Sequence, residues 1–122
     1  MIDHVVLNVS DYAASKRFYD AALEPLGFAV VMEFEDMCGW GRDGKPWLWV
    51  AERGETSRGA HVAIRAETRA QVDAFHEAAL GAGGRDHGPP GLREHYHPTY
   101  YSAFALDPDG NNIEAVIHAP PE

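Results

Sequence analysis

The chain has 122 residues, 45% of them hydrophobic and 24% charged, a balance that excludes a disordered chain and sets the expectation of one compact domain. Ten Lys and Arg against 19 Asp and Glu give a net charge of −9; with the basic residues scattered, DNA, RNA and anionic membrane surfaces are poor partners, and a small molecule or another protein surface is the better expectation. No run approaches the roughly 18 apolar residues of a membrane helix, the opening MIDHVVLNVSD lacks a basic leader and a small-residue cleavage site, and the single cysteine, Cys38, allows no internal disulfide, so a reducing, cytoplasmic setting is expected.

An internal repeat organises the elements. Shifted by 57 residues, His4-Val5 falls on His61-Val62, Ala13 on Ala70, Phe18 on Phe75, Ala21-Ala22-Leu23 on Ala78-Ala79-Leu80 and Gly27 on Gly84. Positions 4–23 hold seven identities, where chance gives roughly one or two, so the chain reads as two units, about 1–57 and about 58–119.

The first unit opens with a strand in which Val5, Leu7 and Val9 alternate with His4, Val6 and Asn8. A helix follows, capped by Ser10 or Asp11, with a stripe of Ala14, Phe18, Ala21 and Ala22, and it ends near Leu26-Gly27. Strands are then expected at Phe28–Phe34, more weakly at Met37–Arg42, and at Pro46–Ala51 after the hairpin turn Arg42-Asp43-Gly44-Lys45.

The second unit repeats the plan. Val62, Ile64 and Ala66 alternate with His61, Ala63 and Arg65. Thr68 caps a helix striped by Val72, Phe75, Ala79 and Leu80 and closed by Gly81-Ala82-Gly83-Gly84. Asp86–Pro98 reads as a long loop, or as one that holds a short irregular strand, followed by strands at Tyr100–Leu106 and Asn112–His118 around the turn Asp107-Pro108-Asp109-Gly110. The fold class is α+β, with two strand-helix-three-strand units forming a curved mixed sheet.

Side-chain parity gathers a candidate site. His4 and His61 lie opposite the apolar sets that the helices should cover. In the last strand Ile113, Ala115 and Ile117 form one face and Glu114 belongs to the other, so two imidazoles and one carboxylate are expected inside one concave cavity. A buried carboxylate needs neutralising or coordinating, and two His with one carboxylate suit a divalent cation such as Fe, Mn, Ni, Co or Zn while leaving positions open for substrate.

These residues resemble the glyoxalase/bleomycin-resistance/extradiol-dioxygenase group, the vicinal oxygen chelate superfamily. The likeness rests on DHVVLNVSD, the helix end FYDAALEPLGF, GAHVAI at the second opening strand and FALDPDGNNIEAV near the C-terminus. It implies paired βαβββ modules in a single domain over 1–122, a homodimer, and a metal held by His4, His61 and Glu114 that chelates two neighbouring substrate oxygens. Glyoxalase I enzymes typically have a fourth ligand, a Glu in the last strand of the first module. Trp49 stands there in this chain, which argues against a literal lactoylglutathione lyase and for three-ligand chemistry of the thiol-transferase or dioxygenase type. The alternative is a metal-free protein that binds or sequesters small molecules, as some bleomycin-resistance relatives do.

Several further residues are candidates. Glu114, His97 and Tyr101 are candidates for proton transfer, since histidine titrates near neutrality. His95 would share a face with His97 in an extended stretch. Trp47 and Trp49 offer an apolar wall for an aromatic or hydrophobic substrate, and Arg65 shares the parity of His61 and suits a substrate carboxylate. Cys38 reads as a small buried residue, and His76 as a surface or packing residue.

Overall fold

The structure, a computed structural model, describes residues 1–118 and 120; residue 119, where the second unit was expected to end, lies outside them. The elements are β1 (Val5–Asn8), α1 (Tyr12–Leu23), a 3-10 turn (Glu24–Leu26), β2 (Ala29–Glu33), β3 (Met37–Arg42), β4 (Lys45–Ala51), β5 (His61–Arg65), α2 (Arg69–Gly81), β6 (Arg85–Leu92), β7 (Tyr100–Leu106) and β8 (Asn112–His118). The class is α+β with two βαβββ units. Their strands form two four-stranded mixed sheets, ordered β1-β4-β3-β2 and β5-β8-β7-β6. In each, the opening strand runs parallel to the closing one and the other pairs are antiparallel.

The helices begin where the caps predict. The Asp11 carboxylate accepts from the Ala14 N–H at 3.1 Å, and Thr68 Oγ1 accepts from the Gln71 N–H at 3.1 Å, each satisfying an N–H that the first helical turn leaves free. After α1 the 3-10 turn closes on Gly27, whose φ of +83° is left-handed and whose N–H returns to the Glu24 carbonyl, a conformation that favours glycine.

Each helix covers one face of its own sheet, and α1 also packs on α2. This double packing shifts the buried stripe of α1. Phe18, Tyr19, Ala22 and Leu23 are fully enclosed, whereas Ala14 and Ala21, expected in the stripe, are only half-buried. Leu80, expected in the core of the second unit, is exposed. One apolar cluster runs through both units, from Leu7, Trp40 and Val50 through the two helices to Ile113 and Ala115. The opposite face of each sheet stays uncovered.

One long loop is in part a strand. Residues 86–92 of the expected loop lie in β6, which pairs with β7 with register shifts between Asp86 and Gly88 and between Gly88 and Gly91. Pro89 and Pro90 cannot donate to a ladder and break the alternation that marks a strand in sequence. The pairing comes from β7 and bulges around them.

A buried polar turn ties the units together. Asp107 accepts from the Tyr19 hydroxyl of α1 at 2.6 Å and from the Asp109 and Asn111 N–H groups, each at 2.9 Å. Asp109 accepts from the Ser10 N–H and hydroxyl at 3.1 and 2.5 Å. Asn111 donates to the Ser57 carbonyl and accepts from the Ala60 N–H. The turn thereby fixes where β8 starts and how it lies against β5.

Candidate functional site

The register of β8 decides which groups meet. Ala63 of β5 and Phe104 of β7 both pair with Glu114. Ile113 and Ala115 face the helices and are fully buried, so Glu114 points to the uncovered face. Glu114 is nevertheless only 1% exposed, because neighbouring side chains enclose it. Glu114 Oε1 is 2.7 Å from His61 Nε2, and Glu114 Oε2 accepts from the Tyr100 hydroxyl. Burial, reinforced by the bond to Glu114, pushes the Tyr100 phenol well above its ordinary pKa, so the hydroxyl stays protonated and remains a donor.

The three groups form a line, Tyr100–Glu114–His61. Its middle, Glu114, is enclosed, Tyr100 is half-buried, and the His61 end opens outward with its side chain 52% exposed. Phe104 flanks it, with its ring centroid 6.0 Å from that of His61, and His118 sits edge-on to Tyr100 at 4.8 Å. Such an arrangement orients an imidazole, holds a carboxylate ready for a cation, and keeps a proton within reach of both.

His4 stands apart from this line. It precedes β1, is exposed, and its Nδ1 lies 2.7 Å from Asp3 Oδ1; Asp3 also pairs with Lys45. His4 and His61 do share a cavity of about 420 Å³ with Arg65, Trp47 and Phe28. Among the described residues no three His, Cys, Asp or Glu side chains converge as a metal site within one chain.

Other candidates fall in different places. Tyr101, expected as a candidate for proton transfer, is on the helix face of β7: its hydroxyl donates to Asp73 of α2 at 2.6 Å, and Arg69 lies over its ring. Alternation puts its neighbour Tyr100 on the site face instead. The expected extended face of His95 and His97 is a turn. There His95 packs on Tyr96, and His97 Nδ1 accepts from the Thr99 N–H at 3.2 Å. Trp47 is 43% exposed, and Trp49 stacks on Phe34 with centroids 6.4 Å apart; both lie on the uncovered face of the first sheet. Cys38 is buried. His76 is nearly buried and reaches Asp86 at 2.9 Å.

The comparisons with known proteins bear on the family and the fold. The model of the Glyoxalase/Bleomycin resistance protein/Dioxygenase superfamily matches residues 1–115. The chain belongs to that superfamily.

A glyoxalase/bleomycin resistance protein from Albidiferax ferrireducens T118 shares 30% identity and superposes with a TM-score of 0.82, covering 97% of this chain and 98% of that one. The V278E mutant of glyoxalase I from Zea mays, at 23% identity, has the same fold with a TM-score of 0.70 over 94% of this chain and 45% of that one. A curated relative, the uncharacterized protein YqjT of Bacillus subtilis (strain 168), is 28% identical over 93% of this chain and 95% of its own length.

A superfamily site is therefore to be judged on its donors. His61 Nε2 and Glu114 Oε1 are hydrogen-bonded at 2.7 Å, within about 1 Å of the roughly 3.3 Å that two tetrahedral donors on one divalent cation take. An imidazole and a carboxylate are a suitable pair for such a cation. The pair fits two of the three expected ligands, and His4 of the same chain does not join it.

Proposed function

We propose that this chain is a metal-dependent enzyme of the vicinal oxygen chelate type, acting on a small molecule with two adjacent oxygens. His61 and Glu114 hold the cation, and His4 from a second copy of the chain completes the set in a homodimer. The observation that carries the reading is the 2.7 Å approach of His61 to a buried carboxylate that Tyr100 also holds. The dimer is supported by the uncovered face of the first sheet, where Met32, Phe34 and Trp47 are exposed together, since clustered exposed apolar side chains mark interaction surfaces.

When bound, the cation supplies Lewis acidity to the two substrate oxygens. The protein's part is positional. Glu114 fixes the His61 ring, the Tyr100 hydroxyl fixes the second Glu114 oxygen, and the aromatic floor of Trp47 and Trp49 excludes water from an apolar substrate body. Tyr100 keeps its proton on the phenol oxygen, beside Glu114. Isomerase, thiol-transferase and dioxygenase reactions all begin from this geometry.

Metal content tests it. Wild-type protein loaded with Mn, Fe, Ni or Zn should retain one ion per chain, and His61→Ala, Glu114→Gln and His4→Ala should each lose it. Mixing His4→Ala with Glu114→Gln chains should restore one site per mixed dimer, since one pairing then has all three donors. Restoration would not occur if the donors came from one chain. Wild-type protein that retains none of the four metals overturns the reading.

A second reading, a metal-free protein that binds or sequesters small molecules, is favoured by the separation of His4 from the pair and by the aromatic floor. It predicts ligand binding that survives chelator treatment and the Glu114→Gln change alike.

A further inference from the structure

We infer that Arg93 determines substrate specificity by taking an anionic group, a carboxylate, on the molecule bound at His61 and Glu114; this rests on the site proposed above. Arg93 follows β6 directly, and its N–H donates to the Tyr100 carbonyl at 2.7 Å. That pairing sets its side chain on the same face as Tyr100, the site face. Its own carbonyl accepts from the Tyr96 and His97 N–H groups at 2.9 and 3.2 Å, so the backbone beneath the side chain is pinned by a tight turn.

The guanidinium lies across the sheet. It sits 5.3 Å from the centroid of the Phe104 ring, the same ring that flanks His61. One nitrogen, Nη2, donates to the Pro89 carbonyl at 2.6 Å. Two glycines make the bed. A Cβ at Gly91 would come within 3.0 Å of Arg93 Nη1, and one at Gly88 within 3.2 Å of Nη2 and 2.7 Å of Phe104. The otherwise unusual Gly-Pro-Pro-Gly of β6 thus leaves room for this side chain.

The charge is held but not neutralised. Arg93 forms no ion pair among the described residues, although the chain carries 19 carboxylate side chains and the nearby Glu114 is already shared by His61 and Tyr100. A half-buried guanidinium fixed by a carbonyl and an aromatic ring keeps donors free for a planar, bidentate partner, which a carboxylate supplies. The substrate class is then a small organic acid whose carboxylate lies a few bonds from its two adjacent oxygens.

The test is an NMR titration of the full-length, metal-loaded protein with benzoate and with benzyl alcohol, which differ in the anion. Benzoate should shift the Arg93 Nε–H and the Phe104 amide saturably, and benzyl alcohol should not. Arg93→Gln should abolish the Phe104 shift, Arg93→Lys should weaken benzoate binding roughly tenfold, about 1.4 kcal/mol, and Arg85→Gln, at the exposed far end of β6, should change nothing. A wild-type protein that responds equally to both probes, or an Arg93→Gln protein that responds as wild type, overturns the inference. Catechol, which has adjacent oxygens and no carboxylate, is titrated alongside. Its failure to bind while the benzoate response persists sinks the vicinal-oxygen reading and leaves the anion site standing.

Discussion

Trp49 and Glu114 occupy the same place in the two halves of the molecule. Trp49 pairs with Val6 across the β1–β4 ladder, Glu114 pairs with Ala63 across the β5–β8 ladder, and Val6 and Ala63 are equivalent positions of the repeat. One half therefore presents an indole where the other presents a carboxylate. The two sheets are alike in backbone and divided in chemistry, an aromatic floor on one and a proton-bearing line on the other.

The floor depends on Gly39, which faces Trp49 across β3 and β4. A Cβ there would lie 2.7 Å from the indole. Gly39→Ala should displace the ring and its stacking partner Phe34, lowering stability by about 1–3 kcal/mol. Urea unfolding checks the loss, and a red-shifted tryptophan emission should accompany it.

Adjacent tyrosines should separate cleanly. Tyr100→Phe removes the hydroxyl that positions Glu114, and should weaken metal retention roughly 10- to 100-fold with little effect on folding. Tyr101→Phe removes a bond to Asp73 of α2; it should cost about 1 kcal/mol of stability and leave metal retention unchanged. Metal titration and thermal unfolding of both variants read the difference.

Burial, followed by the nearby Glu33 carboxylate, pushes the Cys38 thiol up to about 11 from an ordinary value of about 8.5. The folded state thus holds this proton more tightly than the unfolded chain. The resulting stability is fully present below the unfolded value and is lost as pH rises through the folded one. Unfolding free energy should fall between about pH 8.5 and 11, and the fall should be shallower in Cys38→Ala. Native protein should react with a thiol reagent at pH 8 far more slowly than urea-unfolded protein.

The Asp107 turn carries the junction of the halves. Asp107→Ala removes the acceptor shared by the Tyr19 hydroxyl and the Asp109 and Asn111 N–H groups and should cost roughly 2–5 kcal/mol, about 1–3 for each buried donor left unpaired. Tyr19→Phe, which removes one donor to a carboxylate, should cost about 1.5–3 kcal/mol. Chemical denaturation at neutral pH measures both.

By itself the sequence determined the local features. Asp11 and Thr68 cap their helices because a side-chain oxygen can reach a free N–H three residues on, and strand alternation placed His61 and Glu114 on the helix-free face. Tertiary structure alone decided which groups touch. Whether Tyr100 or Tyr101 meets Glu114 depends on the register of β7 against β8, which Ala103 and Ala105 under α2 and the buried Asp107 turn fix together. The position of His4 depends on how two whole units pack through their helices, and the strand at 85–92 on pairing supplied by β7. Alternation along a chain assigns faces; register and approach come from contacts between residues far apart in sequence, and those are the contacts that bring Arg93, His61 and Glu114 onto one surface.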